Sequence, residues 1–149
     1  MELNQINQWY YQGQPFTEEA AQKVIDEGYI GFIYEITDNL TGKKYIGKKL
    51  ITCKRRLPPL KGQKKKRIKN AQTDWQKYFG SSELVQGLVD ERPHDFSREV
   101  LLLCKSKGEL NYREAEMQFA KEVLLREDYY NNFIGVKIHG KHVTSLRKN

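Results

Sequence analysis

Residues able to do chemistry gather in two places along this chain. The first is a basic run. Between Lys43 and Lys69 there are thirteen Lys or Arg and no Asp or Glu, half of the 26 basic residues in the sequence. The whole chain carries a formal charge of +7 with a pI near 9.3. Most charge runs are solvated loops, but like charges packed this densely repel unless a partner neutralises them. A nucleic-acid backbone does so while releasing its counterions. No amphipathic apolar face accompanies the run, which disfavours a membrane surface. Candidate contacts to nucleic acid are therefore Lys48, Lys49, Lys54, Arg56, Lys61, Lys64, Lys65, Lys66, Arg67 and Lys69.

The second is a carboxylate. A helix is expected from about residue 112 to 126, opened by a capping box of Asn111 and Glu114. At ~100° per residue, with Ala115 at 0°, Phe119 falls near ~40°, Tyr112 near ~60°, Val123 near ~80° and Ala120 near ~140°. That arc faces the core. Glu116 falls inside it at ~100°, whereas Glu114 at ~260° and Glu122 at ~340° fall outside. A carboxylate on a buried face needs a metal ion, an Arg or a raised pKa to compensate it. The alternative is that Glu116 sits at the edge of the arc and reaches water. One carboxylate without a His or Asp cluster suits Mg²⁺, which keeps several waters and shares substrate phosphate.

The elements that must position these groups can be read in outline. A chain of 149 residues is expected to form one domain. No apolar run approaches the ~18 residues of a spanning helix. The amino terminus has no secretory pattern, and Cys53 and Cys104 are not spaced as a metal pair. A reducing, cytoplasmic setting with free thiols is expected. Residues 1–16 read as a polar, aromatic-studded arm, and a helix capped by Thr17 runs to about 27. Residues 29–37 and 43–48 read as a hairpin turning at Asp38–Gly42. Residues 49–73 read as a basic loop broken by Pro58, Pro59 and Gly62. One helical turn follows Asp74, Ser82 caps a helix to about 91, and 96–103 is a third strand. The tail, 134–145, reads as a hairpin at Gly140. This is an α+β pattern: a small antiparallel three-stranded sheet flanked by helices, behind an N-terminal helical arm. The division is 1–28, 29–135 and a basic tail, 136–149.

The strand pair reads Gly31-Phe-Ile-Tyr34 and Tyr45-Ile-Gly47, with the tyrosines eleven residues apart. It resembles the GIY-YIG nuclease signature, with one extra residue in its first half. The likeness spans about 29–135. Asp74-Trp75 through Tyr78, Gly80 and Ser82, with Lys48-Lys49, is similar to small phage-encoded members of homing-endonuclease type.

The resemblance implies an endonuclease hydrolysing phosphodiester bonds of double-stranded DNA, with one Mg²⁺ or Mn²⁺. It implies Tyr34 as general base or water-orienting group and Tyr45 as positioner of phosphate or water. It further implies Arg55 as phosphate ligand with Arg56 as its neighbour alternative, Glu116 as metal ligand, and Asn131 as a hydrogen-bonding lock with Asn132 as rival. The His or Tyr that commonly follows the arginine is missing from this long basic segment; Tyr78 is the candidate to fill it. Lys44 is a further candidate beside Tyr45. The nearby lysines are expected to lower the phenol pKa values. A catalytically inactive nucleic-acid-binding protein on the same fold is the alternative. The chain is read as a monomer or homodimer. With little room for a separate reading domain, sequence preference is expected to be loose, or carried by a dimer or by 49–73.

Overall fold

The computed structural model describes residues 8–148. Its centre is a five-stranded sheet in the order β2-β1-β7-β3-β4. The strands are β1 (Trp9–Tyr11), β2 (Gln14–Pro15), β3 (Gly31–Asp38), β4 (Lys44–Leu50) and β7 (Phe96–Cys104). The expected antiparallel trio is present as β7-β3-β4. The sheet is nevertheless mixed, because β1 adds parallel to β7, with Trp9 opposite Arg98 and Tyr11 opposite Val100. The described part of the expected arm is thus built into the sheet; residues 1–7 lie outside the described residues. A three-residue strand carries too little period-2 signal to be read as one.

The sheet buries both faces. On one, Phe32, Tyr34 and Ile36 of β3 pack with Trp9, Phe16, Trp75 and Val85. Trp9, Phe32 and Tyr34 meet edge to face at centroid distances of 4.9 Å and 5.7 Å, the preferred geometry for ring quadrupoles. On the other face, Ile33, Ile46 and Cys104 pack with Leu110, Val123 and Tyr129. Both cysteines are free; burial pushes the Cys104 thiol up to about 12. The β3–β7 register shifts between Ile33 and Tyr34. Such irregularities re-aim the adjacent side chain.

Among the described residues, three helices surround the sheet. α1 (Glu18–Asp26) and α2 (Glu83–Glu91) begin where expected, with Thr17 and Ser82 accepting from Ala20 N and Val85 N. α3 (Lys107–Ala120) departs from expectation at both ends. Ser106 is its cap, accepting from Glu109 N, while Glu109 Oε1 accepts from Lys105 N at 2.7 Å. Ser106 and Glu109 compete as a capping pair with Asn111 and Glu114, and the earlier pair wins. The chain leaves the helix by Glu122, whose φ is 54°. Among the described residues no helix is long and apolar enough to cross a membrane.

The stretch expected as a basic loop is a second, two-stranded sheet: β5 (Thr52–Leu57) against β6 (Arg67–Gln72). Its prolines sit in the connecting turn, where no ladder bond is lost. The tail is not a hairpin; it forms two short 3₁₀ turns, Gly140–His142 and Thr144–Leu146.

One buried ion pair braces the end of β3. Asp38 is fully buried and receives Arg92 Nη1 at 3.0 Å, Arg92 Nη2 at 2.7 Å and the Tyr130 hydroxyl at 2.6 Å. The Arg92 guanidinium holds the Asp38 carboxyl well below the usual carboxylate range. Its folded pKa is therefore below its unfolded value of about 3.9. The stabilisation is complete above that value and disappears as pH falls below it. Asp38→Asn is expected to lower the urea midpoint at neutral pH and to flatten its decline below pH ~4. Parallel acid limbs in wild type and variant would assign acid sensitivity to another group.

Candidate active site

β4 is the last strand of the sheet, so both of its faces can be approached from one flank. On one face, Tyr34 of β3 lies opposite Gly47 of β4. A Cβ at Gly47 would stand 2.4 Å from Tyr34 Oη and 2.6 Å from Cζ. The glycine therefore exists so that the phenol can lie across the strand. The Tyr78 ring stands edge-on to Tyr34 at 5.8 Å, and the Tyr45 ring is at 6.3 Å. Gly80, with φ of 89°, closes over both; its Cβ would sit 3.3 Å from Tyr34 Oη and 3.5 Å from Tyr45 Cε1.

The two phenols differ in access. Tyr34 is 1% exposed, whereas Tyr45 is half-buried with its hydroxyl 3.4 Å from Ser81 Oγ. Burial raises the Tyr34 pKa well above the ordinary phenol value, and the neighbouring phenols and Glu114 add to the rise. Tyr45 is raised as well, chiefly by burial. The expectation that adjacent lysines would lower these values is thus corrected: desolvation raises both.

The fixed cation beside the phenols is Lys49. Its Nζ lies 4.3 Å over the Tyr78 ring and 2.7 Å from Asp74 Oδ1. Arg98, missed by the sequence reading, holds the same loop from beneath. It is almost fully buried, donates from Nη1 to Tyr78 O at 2.6 Å, and stacks on Phe79 and Trp9 at 3.9 Å and 4.6 Å. Burial pulls its pKa down to about 9. An Arg at an inward position of β7, between Phe96 and Val100, was the available signal. Arg55 and Arg56 stand exposed on β5, outside the tyrosine cluster. Lys44 lies on the face opposite Tyr45, 3.7 Å from Glu35.

The helix wheel placed the wrong carboxylate inward. The buried positions of α3 are Leu110, Ala115 and Gln118. With Leu110 at 0°, these span about 0–140°; Glu114 falls at ~40° and Asn111 at ~100°, while Glu116 falls at ~240°. The Glu114 side chain is 16% exposed and that of Glu116 is 51% exposed. Glu116 pairs outward with Arg113 at 2.7 Å. Phe119, taken as core, is 64% exposed, and Gln118, a polar residue, is buried and donates to Ile46 O at 2.9 Å. Polarity was a misleading guide to which face is inside. Glu114 faces Lys48 at 3.6 Å, and Lys48 also donates to Asn111. Burial raises the Glu114 pKa and Lys48 opposes the rise.

Asn131 is buried and completes the edge of β4. Its Oδ1 accepts from Ile46 N at 3.1 Å and its Nδ2 donates to Ile46 O at 2.9 Å. The side-chain amide thus pairs as a neighbouring strand would. Asn132 is exposed.

These features coincide with a comparison of the whole chain. A family model described as "Putative endonuclease segE, GIY-YIG domain" matches residues 9–134. The chain belongs to the GIY-YIG nuclease family. The match begins at Trp9, so β1 lies within the family region although the motif reading began at 29. Neither a curated protein nor a solved structure matches the chain. In this GIY-YIG nuclease, the signature strands are β3 and β4, and their tyrosines face the Lys49–Tyr78–Gly80 wall.

Proposed function

We propose that this GIY-YIG nuclease is a divalent-metal-dependent endonuclease that hydrolyses phosphodiester bonds of duplex DNA at the β4 edge. The observation that carries the reading is the placement of two groups on the two faces of β4: Tyr45 and Lys49, backed by Tyr34 and Tyr78, on one face, and the Lys48–Glu114 pair on the other, near enough for the Glu114 charge to raise the Tyr45 phenol. Family membership supports hydrolysis of nucleic acid, and the basic hairpin beside the edge supports a duplex substrate. We place its action in the cytoplasm, that of a bacterial host for a phage-encoded enzyme.

The donor set fits a hard cation. Glu114 offers a partly buried carboxylate and Asn111 an amide oxygen, both facing the Lys48 ammonium that an ion would displace. No group of three His, Cys, Asp or Glu gathers among the described residues. A single Mg²⁺ held by Glu114, with water and substrate oxygens completing its shell, suits such a site. When bound, the ion supplies Lewis acidity toward the phosphate. Glu116, turned outward against Arg113, is replaced in this role by Glu114.

The remaining work falls to the chain. Lys49 donates to a non-bridging phosphate oxygen, taking the place foreseen for Arg55. The Tyr45 hydroxyl, at the surface, hydrogen-bonds the attacking water. Tyr34, beneath it, stays neutral and backs the Tyr78 ring edge-on. Water forms the new bond to phosphorus as the bond to the leaving oxygen breaks; the proton that water loses passes through the Tyr45 hydroxyl to solvent, and the leaving oxygen takes one from solvent. Asn131 holds β4 at Ile46 so that Tyr45 and Gly47 keep their register. The hairpin lysines and arginines neutralise neighbouring phosphates.

The test is nicking of supercoiled plasmid. Relaxed or linear product is expected in Mg²⁺ or Mn²⁺ and none in EDTA. Equal product with and without the ion overturns metal dependence. A gel shift with no product in either ion overturns the nuclease reading.

A further inference from the structure

The β5–β6 hairpin stands apart from the main sheet, rooted by Gln72 Nε2 donating to Glu18 O at 3.3 Å and Thr73 Oγ1 donating to Leu50 O at 2.6 Å. Beyond this root, Lys54, Arg55, Arg56, Lys61, Lys64, Lys65, Lys66, Arg67 and Lys69 are all exposed. No carboxylate pairs with any of them among the described residues. Arg55 lies directly opposite Lys69. Like charges at opposed positions destabilise a strand pair. The ribbon therefore holds repulsion that a polyanion would relieve.

Its two faces differ in kind. Register places Lys54, Arg56, Ile68 and Asn70 on one face and Arg55, Leu57, Arg67 and Lys69 on the other. The second face carries three cations and suits phosphates. The first combines two cations with an amide and a branched apolar side chain, Ile68 being 66% exposed. Those types match the major-groove edges of bases: Arg or Lys to guanine, Asn to adenine, and an apolar group to the thymine methyl. Size agrees. Six paired residues span about 20 Å at ~3.3 Å each. A two-stranded ribbon enters the ~12 Å major groove of B-DNA but not its ~6 Å minor groove. The major groove of duplex RNA is too narrow and deep for side chains to read.

We propose that the β5–β6 hairpin enters the DNA major groove, where Arg56, Ile68 and Asn70 read base edges while Arg55, Arg67 and Lys69 hold phosphates. This rests on the duplex-DNA reading above and adds sequence discrimination to it.

The test separates the two. The full chain carrying Glu114→Gln, and in parallel the unaltered chain in EDTA, is used to select bound duplexes from a random library. The selected duplex is then rebuilt with 7-deazaguanine for guanine and uracil for thymine, which alter only the major-groove edge. A third version carries inosine for guanine, which alters the minor groove. Affinity is expected to fall about tenfold with the major-groove analogues and to hold within about twofold with inosine. Arg56→Ala or Asn70→Ala should flatten the selected preference. Lys69→Ala should weaken all sequences alike and reduce the salt slope by about one. A preference lost only with inosine, or the absence of any preference in the unaltered chain, overturns groove reading while leaving a DNA nuclease intact. Failure to bind duplex DNA at all overturns both.

Discussion

Glu114→Gln is expected to lower plasmid cleavage in Mg²⁺ by roughly 10²–10³-fold, the loss typical of removing one charge-stabilising group from a site. Glu116→Gln should stay within about threefold of wild type under the same conditions, as befits a surface ion pair of small worth. The contrast follows from helix phase. Glu114 shares the inward face of α3 with Leu110 and Ala115, and its carboxylate lies beside Lys48. Glu116 lies across the helix and pairs with Arg113 at the surface. Glutamine keeps the shape and its amide oxygen still accepts from Lys48, so folding of the variant should be unimpaired by circular dichroism. An inactive Glu116→Gln beside an active Glu114→Gln would reverse the assignment.

Gly47→Ala is expected to cost about 1–3 kcal/mol of stability, the usual penalty for overpacking. Cleavage should fall about 10²-fold as well, because a displacement near 1 Å at a reacting centre has that effect. The added methyl would need to occupy space 2.4 Å from Tyr34 Oη. Tyr34 cannot retreat, since Trp9, Phe32 and Tyr78 surround its ring at 5.7 Å, 6.3 Å and 5.8 Å. Gly87→Ala in α2 is the control. A Cβ there meets nothing within 4 Å, and loss of a helical glycine should raise stability by roughly 0.5–1 kcal/mol. Urea melts and nicking rates measured on both variants decide it. Unchanged values for Gly47→Ala would mean that Tyr34 has room the packing does not reveal.

Much of the fold was legible because its signals are local. Thr17 and Ser82 cap helices by reaching N–H groups three residues on, and that spacing is visible in sequence. The β-branched and aromatic run of β3 and the turn at Asp38 announce a hairpin in the same way. What escaped was non-local. β1 is a strand only because β7 offers it an edge. The partner of Arg98 is a carbonyl twenty residues distant. The basic segment was read from its prolines as a loop, although those prolines occupy only the turn. The carboxylate was misplaced because hydrophobicity was used to set the helix phase. Gln118 is inside, where its amide shares Ile46 O with that of Asn131, and Phe119 is outside. The tyrosine pair was legible through motif spacing alone; composition would have left both as ordinary core aromatics. Their raised pKa values were not legible, since burial depends on the loop that carries Tyr78 and Gly80.

A terminal strand is a hazard in any β protein, because its unmatched N–H and C=O groups invite a stranger to add itself. In this nuclease that invitation is withdrawn at Ile46 by one amide side chain, and at Lys44 by the main chain of Asp128 and Tyr130. The plug is compact, so the flank needed for a bulky substrate is not covered by another sheet member. Protection against self-association and room for a nucleic-acid rail are thereby obtained from the same few atoms.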